Sequence, residues 1–377
     1  MRGALIAIVA TACCACTAPE TPPNGFDWGL APGIEPPPVP AANPQTAQKV
    51  ELGRHLFYDF RLARNEKRSC GICHEDKKGF TDGFVRAVGA TNEVHPRNTL
   101  SLSNLGYRES LTWVHPELGS LEEQLLIPLL GTDPIELGFG GHEDELTERL
   151  AALPLYQDLF AAAYPGSPNP ITLESVAMAI AAFERTMISR NAPYDRYLRG
   201  ERDAISDDAR RGAELFFSPR AGCSRCHGGD DFMAIADDSG EVMAAHGFFN
   251  VGLYNVDGAG AYPDGRTGRH SITGDPDDMG VVRVPTLRNV ERSHPYFSDG
   301  SGASLEDVVA VFDRGGRLTD SGPNVGDGRD SPLKSPLIKP LGLSETERGQ
   351  LVAFLCSLTE EEFLTDPRFS DPFPRDE

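Results

Sequence analysis

The chain is 377 residues long, with 40% hydrophobic residues and a formal net charge of −21. This length predicts two domains, because single hydrophobic cores stop growing at roughly 250–300 residues. The excess of acidic side chains argues against binding to nucleic acid or to an anionic membrane, since both would repel the chain.

Residues 1–16 are predicted to form a secretory signal. Arg2 precedes an apolar run that is too short to cross a bilayer, and small residues follow it. The stretch ending at Cys13 also looks like a lipoprotein cleavage site, so we expect either lipidation at Cys13 or cleavage without a lipid. In both cases a periplasmic protein is expected, with no transmembrane helix in the mature chain. Residues 17–43 are rich in proline and predict an extended lead-in.

Helical patterns separated by loops follow along the chain, and an alternating strand pattern is almost absent. Ser120 and Glu123 have the spacing of a capping box, and Thr172 is a predicted helix cap. The helices are predicted in the segments "AQKVELGRHLFYD", "SLEEQLLIPLL", "TLESVAMAIAAFERTM", "SDDARRGAELFF", "SLEDVVAVF" and "SETERGQLVAFLCSL".

Two Cys-x-x-Cys-His motifs are the most specific feature of the sequence. They consist of Cys70, Cys73 and His74, and of Cys223, Cys226 and His227. Two thiols on one helical turn can form thioethers to the vinyl groups of a haem, while the adjacent imidazole binds its iron. Zinc would need four ligands where each motif offers three, and a redox dithiol would not need the histidine. The motifs therefore predict two covalently bound haem c groups, with zinc or dithiol sites as the alternatives.

The two motifs also organise the predicted fold. The class is mainly α, with two cytochrome c-like domains that each bind one covalent haem near the domain interface. The first domain is expected over residues 44–195 and the second over residues 205–366, with a polar stretch between them. A short tail, residues 367–377, follows.

Two residues between the motifs carry redox chemistry in this hypothesis. A carboxylic acid such as Glu136, facing an open iron position, can move a proton between the two oxygens of bound peroxide. Trp113, placed between two porphyrins, could be oxidised as an intermediate station for electrons. From composition alone, a single tryptophan is more often a core residue and a glutamate near "GFGG" more often a solvated one.

The order of the motifs resembles the bacterial dihaem cytochrome c peroxidase and MauG superfamily over residues 44–365. The matching segments are the two Cys-x-x-Cys-His motifs, "HPRNTLSLSN", "LTW", "DPIELG", "PYDRYL", "VRVPTLRNV" and "HPYFSDGS". The details "HPRN", "LTW", "NVGLYN" and "GAYP" are most similar to the MbnH group, MauG-like proteins associated with methanobactin or copper-binding partners.

This resemblance implies a role for each matching residue. It makes His74 the proximal ligand of a peroxide-reactive haem and His227 that of an electron-relay haem. Trp113 becomes the inter-haem tryptophan and Glu136 the distal acid, with Gln124 and Pro128 lining the distal pocket. It also implies a Ca²⁺ site formed by Asn98 and by the backbone carbonyls of Arg283 and Pro285, since Ca²⁺ prefers oxygen ligands.

The sequence departs from the peroxidase pattern at both distal positions. Gly89 and Ala90 occupy the place of the distal histidine that blocks the first haem in ordinary dihaem peroxidases, so this haem is expected to be open at rest. His95 is the alternative ligand there. At the second haem the usual ligand position aligns with Phe312, which cannot bind iron, and His294, His270 or water are the alternatives.

The functional prediction is a periplasmic, hydrogen peroxide-dependent, MauG-like oxidase that forms a high-valent dihaem state and oxidises a tryptophan of a partner protein. Resemblance to MbnH implies kynurenine formation in a copper-binding, MbnP-type partner, reached by electron hopping through candidates such as Tyr254, Tyr262 and Tyr296. One alternative is a cytochrome c peroxidase that takes electrons from a small redox protein. The other is a non-catalytic dihaem electron carrier.

Overall fold

The computed structural model describes residues 25–237, 239–244 and 246–373. The predicted signal segment, Cys13 and the first residues of the lead-in lie outside the described residues. Across the described ranges, no helix is both long enough and apolar enough to cross a membrane.

The described residues form short α-helices joined by loops and brief 3₁₀ turns, which confirms the mainly α prediction. The helices are α1 (Ala47–Tyr58), α2 (Cys70–Cys73), α3 (Leu121–Gln124), α4 (Leu126–Leu130), α5 (Glu143–Ala151), α6 (Pro154–Ala163), α7 (Leu173–Glu184), α8 (Pro193–Leu198), α9 (Asp207–Phe216), α10 (His270–Thr273), α11 (Leu305–Arg314), α12 (Glu345–Cys356) and α13 (Glu361–Leu364).

The strands are two or three residues long and pair as three small antiparallel ribbons. The pairs are β1 (Ile235–Ala236) with β2 (Val242–Ala244), β3 (Phe248–Phe249) with β4 (Val282–Arg283), and β5 (Leu318–Thr319) with β6 (Gly326–Asp327). None of these ribbons is large enough to form a core, so the helices provide it.

The helix starts follow the capping chemistry of the sequence, with one interruption. The Oγ1 atom of Thr172 accepts from the backbone N–H of Ser175, which completes a capping box at the start of α7. The Oγ atom of Ser120 likewise accepts from the backbone N–H of Glu123 at 3.2 Å.

However, the predicted helix over residues 120–130 is divided into α3 and α4. Pro128 has no N–H to donate to the carbonyl four residues earlier, which accounts for the break.

Two helix pairs cross at very short distance, and each crossing depends on a glycine. A Cβ atom added to Gly53 of α1 would lie 1.9 Å from the carbonyl oxygen of Ala179 in α7. A Cβ atom added to Gly212 of α9 would lie 1.9 Å from the carbonyl oxygen of Gln350 in α12. Any larger residue would therefore push the helices apart, and the same contact is used in both halves of the chain.

We expect Gly53→Ala and Gly212→Ala each to lower the free energy of unfolding by at least about 1–3 kcal/mol, the usual cost of overpacking. Gly349→Ala in α12 is the matched control, because Gly349 is exposed and nothing lies within 4 Å of the added Cβ. The control should gain up to about 1 kcal/mol from helix propensity. Urea unfolding followed by circular dichroism measures all three. Wild-type stability in Gly53→Ala and Gly212→Ala would contradict the close crossings.

Most of the buried apolar residues that the structure describes belong to two large clusters. One gathers side chains from residues 52–187, and the other gathers side chains from residues 194–358. The sequence predicted a polar stretch between the two domains. The structure has helix α8 there, and the side chain of its Tyr194 is buried in the second cluster. Phe363 and Phe369, near the end of the chain, pack back into the first cluster. The domain boundaries themselves stay a prediction.

The proline-rich lead-in lies along the surface of the helical body. Residues 25–46 contain neither helix nor strand. The hydroxyl of Tyr107 donates to the carbonyl of Glu35 at 2.6 Å, and the side-chain amide of Asn43 donates to Glu122 Oε1 at 2.7 Å. These contacts hold the extended segment against Tyr107 and helix α3. The proline content of the segment predicts its extended backbone but not these contacts.

Candidate functional site

The first Cys-x-x-Cys-His motif forms α2 and the turn that follows it. The backbone N–H of His74 donates to the carbonyl of Cys70 at 2.9 Å. The Nδ1 atom of His74 lies 2.8 Å from the carbonyl oxygen of Phe80. An Nδ1–H that donates to a carbonyl fixes the tautomer and leaves Nε2 as the metal-binding atom. Burial lowers the pKa of His74, which favours the neutral imidazole that binds iron.

The second motif repeats this arrangement. The backbone N–H of His227 donates to the carbonyl of Cys223 at 2.9 Å, and its Nδ1 atom lies 2.8 Å from the carbonyl oxygen of Phe232. Burial lowers the pKa of His227 to about 4. Phe80 and Phe232 both have left-handed backbone, with φ of 59° and 52°, so each loop uses the same uncommon turn to present its carbonyl. The structure therefore gives both histidines the same metal-binding tautomer.

The motif cysteines lie in surroundings that favour a protonated thiol over a thiolate. Burial raises the pKa of Cys73 and Cys223 to about 12 and that of Cys226 to about 11, and it raises the pKa of Cys70 further. Reactive dithiols and zinc ligands need a thiolate, which positively charged surroundings favour. These apolar surroundings suit thioether attachment to a haem better than either alternative.

A cavity of about 240 Å³ opens beside the second motif. Its wall is mostly apolar, which suits the faces of a porphyrin. The side chains of α11 line it, including Phe312, as do Cys223, Cys226 and His227 of the motif. Residues that contribute to the wall include Leu253, Pro285, Tyr296, Leu305, Val309 and Leu341.

Two buried guanidinium groups line the same cavity, and sequence reasoning missed both side chains. Among the described residues, Nε of Arg108 and Nη2 of Arg283 have no hydrogen-bond partner. Burial lowers the pKa of Arg283 to about 9, and the like charge of Arg108 adds to this effect. Burial lowers the pKa of Arg108 to about 10. Buried cations with unused donors require an anion, and the two propionates of a haem would supply carboxylates for them.

Trp113 lines this cavity and is hydrogen-bonded to a segment that also contacts the first motif. It is 8% exposed, and its Nε1–H donates to the backbone carbonyl of Asn98 at 2.7 Å. Residues 98–101 line this cavity beside His227. The carbonyl of Leu100 in the same segment faces His74 and partly offsets the lowering of its pKa by burial. The tryptophan is thus hydrogen-bonded to a segment that contacts both sites.

The three residues predicted to hold Ca²⁺ line this cavity together. They are Asn98, Arg283 and Pro285, although the backbone carbonyl of Pro285 faces His227. The side-chain nitrogen of Asn98 donates to the carbonyl of Phe84 at 2.9 Å, which leaves its amide oxygen as the donor for a cation. This donor type is the one that Ca²⁺ prefers.

Glu136 lies beside the first motif. Its carboxylate raises the pKa of Cys70, Cys73 and His74, although it is not the largest cause for any of them. The side chain is 36% exposed, and one oxygen lies 3.2 Å from Nε2 of His95, without the geometry of a hydrogen bond. His95 therefore belongs to the same site as the predicted acid.

The backbone around Glu136 leaves no room for a side chain at position 89. A Cβ atom added to Gly89 would lie 1.9 Å from the carbonyl oxygen of Ile135, and the N–H of Ala90 donates to the carbonyl of Glu136 at 2.8 Å. The carbonyl of Pro128 accepts from the N–H of Leu137 at 3.0 Å, so this predicted residue anchors the chain next to the acid.

Gln124 and Glu184 lie on two helices of the first half of the chain. Gln124 is half-buried at the end of α3, at the break that precedes α4. Sequence reasoning missed Glu184 of α7, whose charge raises the pKa of Cys70. Burial raises the pKa of Glu184 to about 8, so this carboxyl group tends to keep its proton near neutral pH.

The histidines that the sequence offered as ligands of the second haem, His294 and His270, do not line the cavity. Of the histidines in the described part of the chain, only His227 lines the cavity. His294 is exposed, and Nδ1 of His270 lies 2.8 Å from the carbonyl of Asp275, away from the cavity wall. Phe312 does line the wall, as its aligned position predicts.

The sequence is similar to those of one family of enzymes. A family model for di-haem cytochrome c peroxidases matches residues 47–203. The methylamine utilization protein MauG of Methylorubrum extorquens is 36% identical over 324 residues, covering 86% of this chain and 82% of that protein. Cytochrome c551 peroxidase of Pseudomonas aeruginosa is 31% identical over 271 residues, covering 71% of this chain and 72% of that protein.

Solved structures share the fold over most of the chain. A MauG-like protein associated with microbial copper homeostasis superimposes with a TM-score of 0.87 at 43% identity, covering 92% of this chain and 99% of that one. The diheme peroxidase BthA of Burkholderia thailandensis, at 18% identity and a TM-score of 0.65, shares the fold alone. The chain therefore belongs to the di-haem cytochrome c peroxidase and MauG family, and it is a peroxide-dependent dihaem oxidoreductase with haem c cofactors.

Proposed function

We propose that this chain is a periplasmic oxidase that uses hydrogen peroxide to oxidise a tryptophan of a partner protein. In this proposal His74 and His227 bind the two haem irons, and the four motif cysteines form the thioethers. Glu136 moves the proton during peroxide cleavage, and Trp113 shares the oxidising equivalents between the two sites. Gln124 and Pro128 shape the pocket, and the Ca²⁺ site of Asn98, Arg283 and Pro285 is part of the same proposal.

The position of Trp113 is the observation that carries the proposal. An oxidase that acts on a protein cannot admit its target to a buried iron, so it must store oxidising equivalents and pass them outward. A buried tryptophan that is hydrogen-bonded to residues contacting both sites supports such storage. A haem, once bound, would supply the reaction with peroxide; the protein supplies the acid, the relay and the exclusion of water.

The copper-binding partner is supported by similarity. The solved MauG-like protein that is 43% identical to this chain is described as associated with microbial copper homeostasis. We therefore propose a copper-binding, MbnP-type protein as the partner and kynurenine as the product. Incubating purified haem-loaded protein with hydrogen peroxide and such a partner tests this. Mass spectrometry of the partner's tryptophan peptides should show kynurenine, whereas unmodified tryptophan would overturn this choice of partner.

The resting state of the irons gives the first test of the reaction itself. Because position 89 has no space for a ligand, we expect the first haem of the oxidised protein to give a high-spin signal by electron paramagnetic resonance (EPR). Hydrogen peroxide should then produce a long-lived oxidised state without prior reduction. His95→Gln should leave the EPR spectrum unchanged. If that variant instead creates the high-spin signal, His95 is an iron ligand and the open site is wrong.

A cytochrome c peroxidase is the second candidate, and the 31% identity to cytochrome c551 peroxidase favours it. This enzyme would take electrons from a small redox protein and would not need a long-lived oxidised state. Rapid return to the resting spectrum with a reduced cytochrome, without modification of any partner, would identify it. The family relationship identifies an enzyme, so we do not retain the electron carrier as a candidate.

A further inference from the structure

One buried tyrosine close to the cavity beside His227 is hydrogen-bonded to a carboxylate. Tyr254 is 4% exposed, and its hydroxyl donates to Oδ2 of Asp299 at 2.6 Å. Its ring packs in a small apolar cluster with Leu253 and Phe297, and both of these side chains line the cavity beside His227. Tyr254 is therefore separated from that cavity by a single layer of side chains.

The charges around this pair favour an ionised Asp299. Burial alone would raise the pKa of Asp299, but the positive charge of Arg317 and hydrogen bonds from Ser301 and Tyr254 lower it overall. Nη1 of Arg317 lies 3.4 Å from Oδ2 of Asp299, and Nη1 of Arg266 lies 3.7 Å from the same oxygen. Arg266 also donates to the hydroxyl of Tyr254. The carboxylate is thus available as a proton acceptor.

The same charges restrict how Tyr254 can be oxidised. The guanidinium carbon of Arg317 lies 4.1 Å from the centre of the Tyr254 ring, and that of Arg266 lies 5.7 Å away. Two cations this close oppose any positive charge on the ring. Burial raises the pKa of the phenol, so it does not ionise beforehand. An electron can leave this ring readily only if the phenol proton moves to Asp299 in the same step.

We propose that Tyr254 is the one-electron relay between the second haem and a protein substrate, with Asp299 as its proton acceptor. This rests on the proposed function. With the haems bound, Tyr254 would give one electron to the peroxide-oxidised second site and its proton to Asp299. The resulting neutral radical takes one electron from the substrate and recovers the proton from Asp299. Two such cycles deliver the two electrons that, with two protons, reduce one hydrogen peroxide to two waters.

The other two candidate hopping residues, Tyr262 and Tyr296, lack a carboxylate as proton acceptor. The hydroxyl of Tyr262 donates to the amide oxygen of Asn250 at 2.6 Å, and that of Tyr296 donates to the backbone carbonyl of Val290 at 3.0 Å. Amide oxygens accept hydrogen bonds but are not protonated near neutral pH. Tyr262 also lies edge-on to Tyr254, with ring centroids 5.3 Å apart. It is therefore a closely matched control.

The experiment uses the full haem-loaded protein, with hydrogen peroxide as the only added reagent. Freeze-quench EPR on protein containing deuterated tyrosine should show a tyrosyl radical in the wild type and in Tyr262→Phe. The signal should be lost in Tyr254→Phe. It should also be lost in Asp299→Asn, which keeps the shape of the side chain but cannot hold the proton. Haem absorbance and thermal unfolding establish that each variant is folded.

The outcomes separate the relay from the proposed function. A tyrosyl signal that persists in Tyr254→Phe overturns the relay, even if the partner is still oxidised. An oxidised haem state that forms without any tyrosyl signal overturns the relay as well. If peroxide produces no oxidised state in the wild type, the proposed function fails before the relay is reached. Loss of the signal in both Tyr254→Phe and Asp299→Asn, with retention in Tyr262→Phe, supports the relay.

Discussion

Replacing Glu136 by glutamine is expected to slow the reaction of the oxidised protein with hydrogen peroxide by about a hundred- to ten-thousand-fold, the usual contribution of a positioned general acid–base. Cleavage of the O–O bond needs a proton to leave one oxygen and reach the other. Glu136 is the carboxylate whose charge acts on all three residues of the first motif. Glutamine keeps the size of the side chain but cannot transfer the proton. Stopped-flow absorbance at the haem band measures the rate.

Glu93→Gln is the matched control for this experiment. Glu93 is exposed, and its Oε2 atom accepts from the backbone N–H of Ile135 at 3.4 Å, directly beside Glu136 in the sequence. The control removes one negative charge from the same region without removing the proposed acid. It should react at the wild-type rate. Equal rates in Glu136→Gln and Glu93→Gln would show that another group moves the proton.

Replacing Trp113 by phenylalanine is expected to abolish or greatly shorten the long-lived oxidised state. Phenylalanine fills much of the same buried space but is far harder to oxidise, and it cannot donate to the carbonyl of Asn98. The unpaired carbonyl of Asn98 that remains should cost about 1–3 kcal/mol of stability, which a folded domain tolerates. The large effect should therefore appear in the lifetime of the oxidised state, followed optically after one equivalent of hydrogen peroxide.

The second tryptophan of the chain provides the control. Trp28 lies in the lead-in and packs edge-on against Phe26, with ring centroids 5.0 Å apart. It does not line the cavity beside His227. Trp28→Phe should leave the lifetime of the oxidised state unchanged. If Trp113→Phe also leaves it unchanged, the oxidising equivalents are stored without this residue, and the relay between the sites must be sought elsewhere.

The sequence predicts most of the local structure, because helix starts depend on nearby residues. The cap at Thr172, the helices over "SLEDVVAVF" and "SETERGQLVAFLCSL", and the scarcity of strands all follow from local patterns. The break at Pro128 could also have been predicted, since proline removes a donor that a continuous helix needs. The contacts of the lead-in could not, because they join residues far apart in the chain.

The site is predictable to a similar extent. The two motifs identify the metal-binding histidines, but the carbonyls of Phe80 and Phe232 that orient them depend on loop geometry. The guanidinium groups of Arg108 and Arg283 were missed because arginine is usually exposed, and only the packed structure shows that these two are buried. A comparison of the two motif loops could have revealed one signal, a phenylalanine five or six residues after each histidine.

The segment 98–101 has a consequence for the redox behaviour of the two irons. It carries the carbonyl that faces His74, it accepts the hydrogen bond of Trp113, and it forms part of the wall around the second porphyrin site. A rearrangement of this segment at one iron would alter the surroundings of the other. We therefore expect oxidation at one site to affect the other through these four residues of backbone.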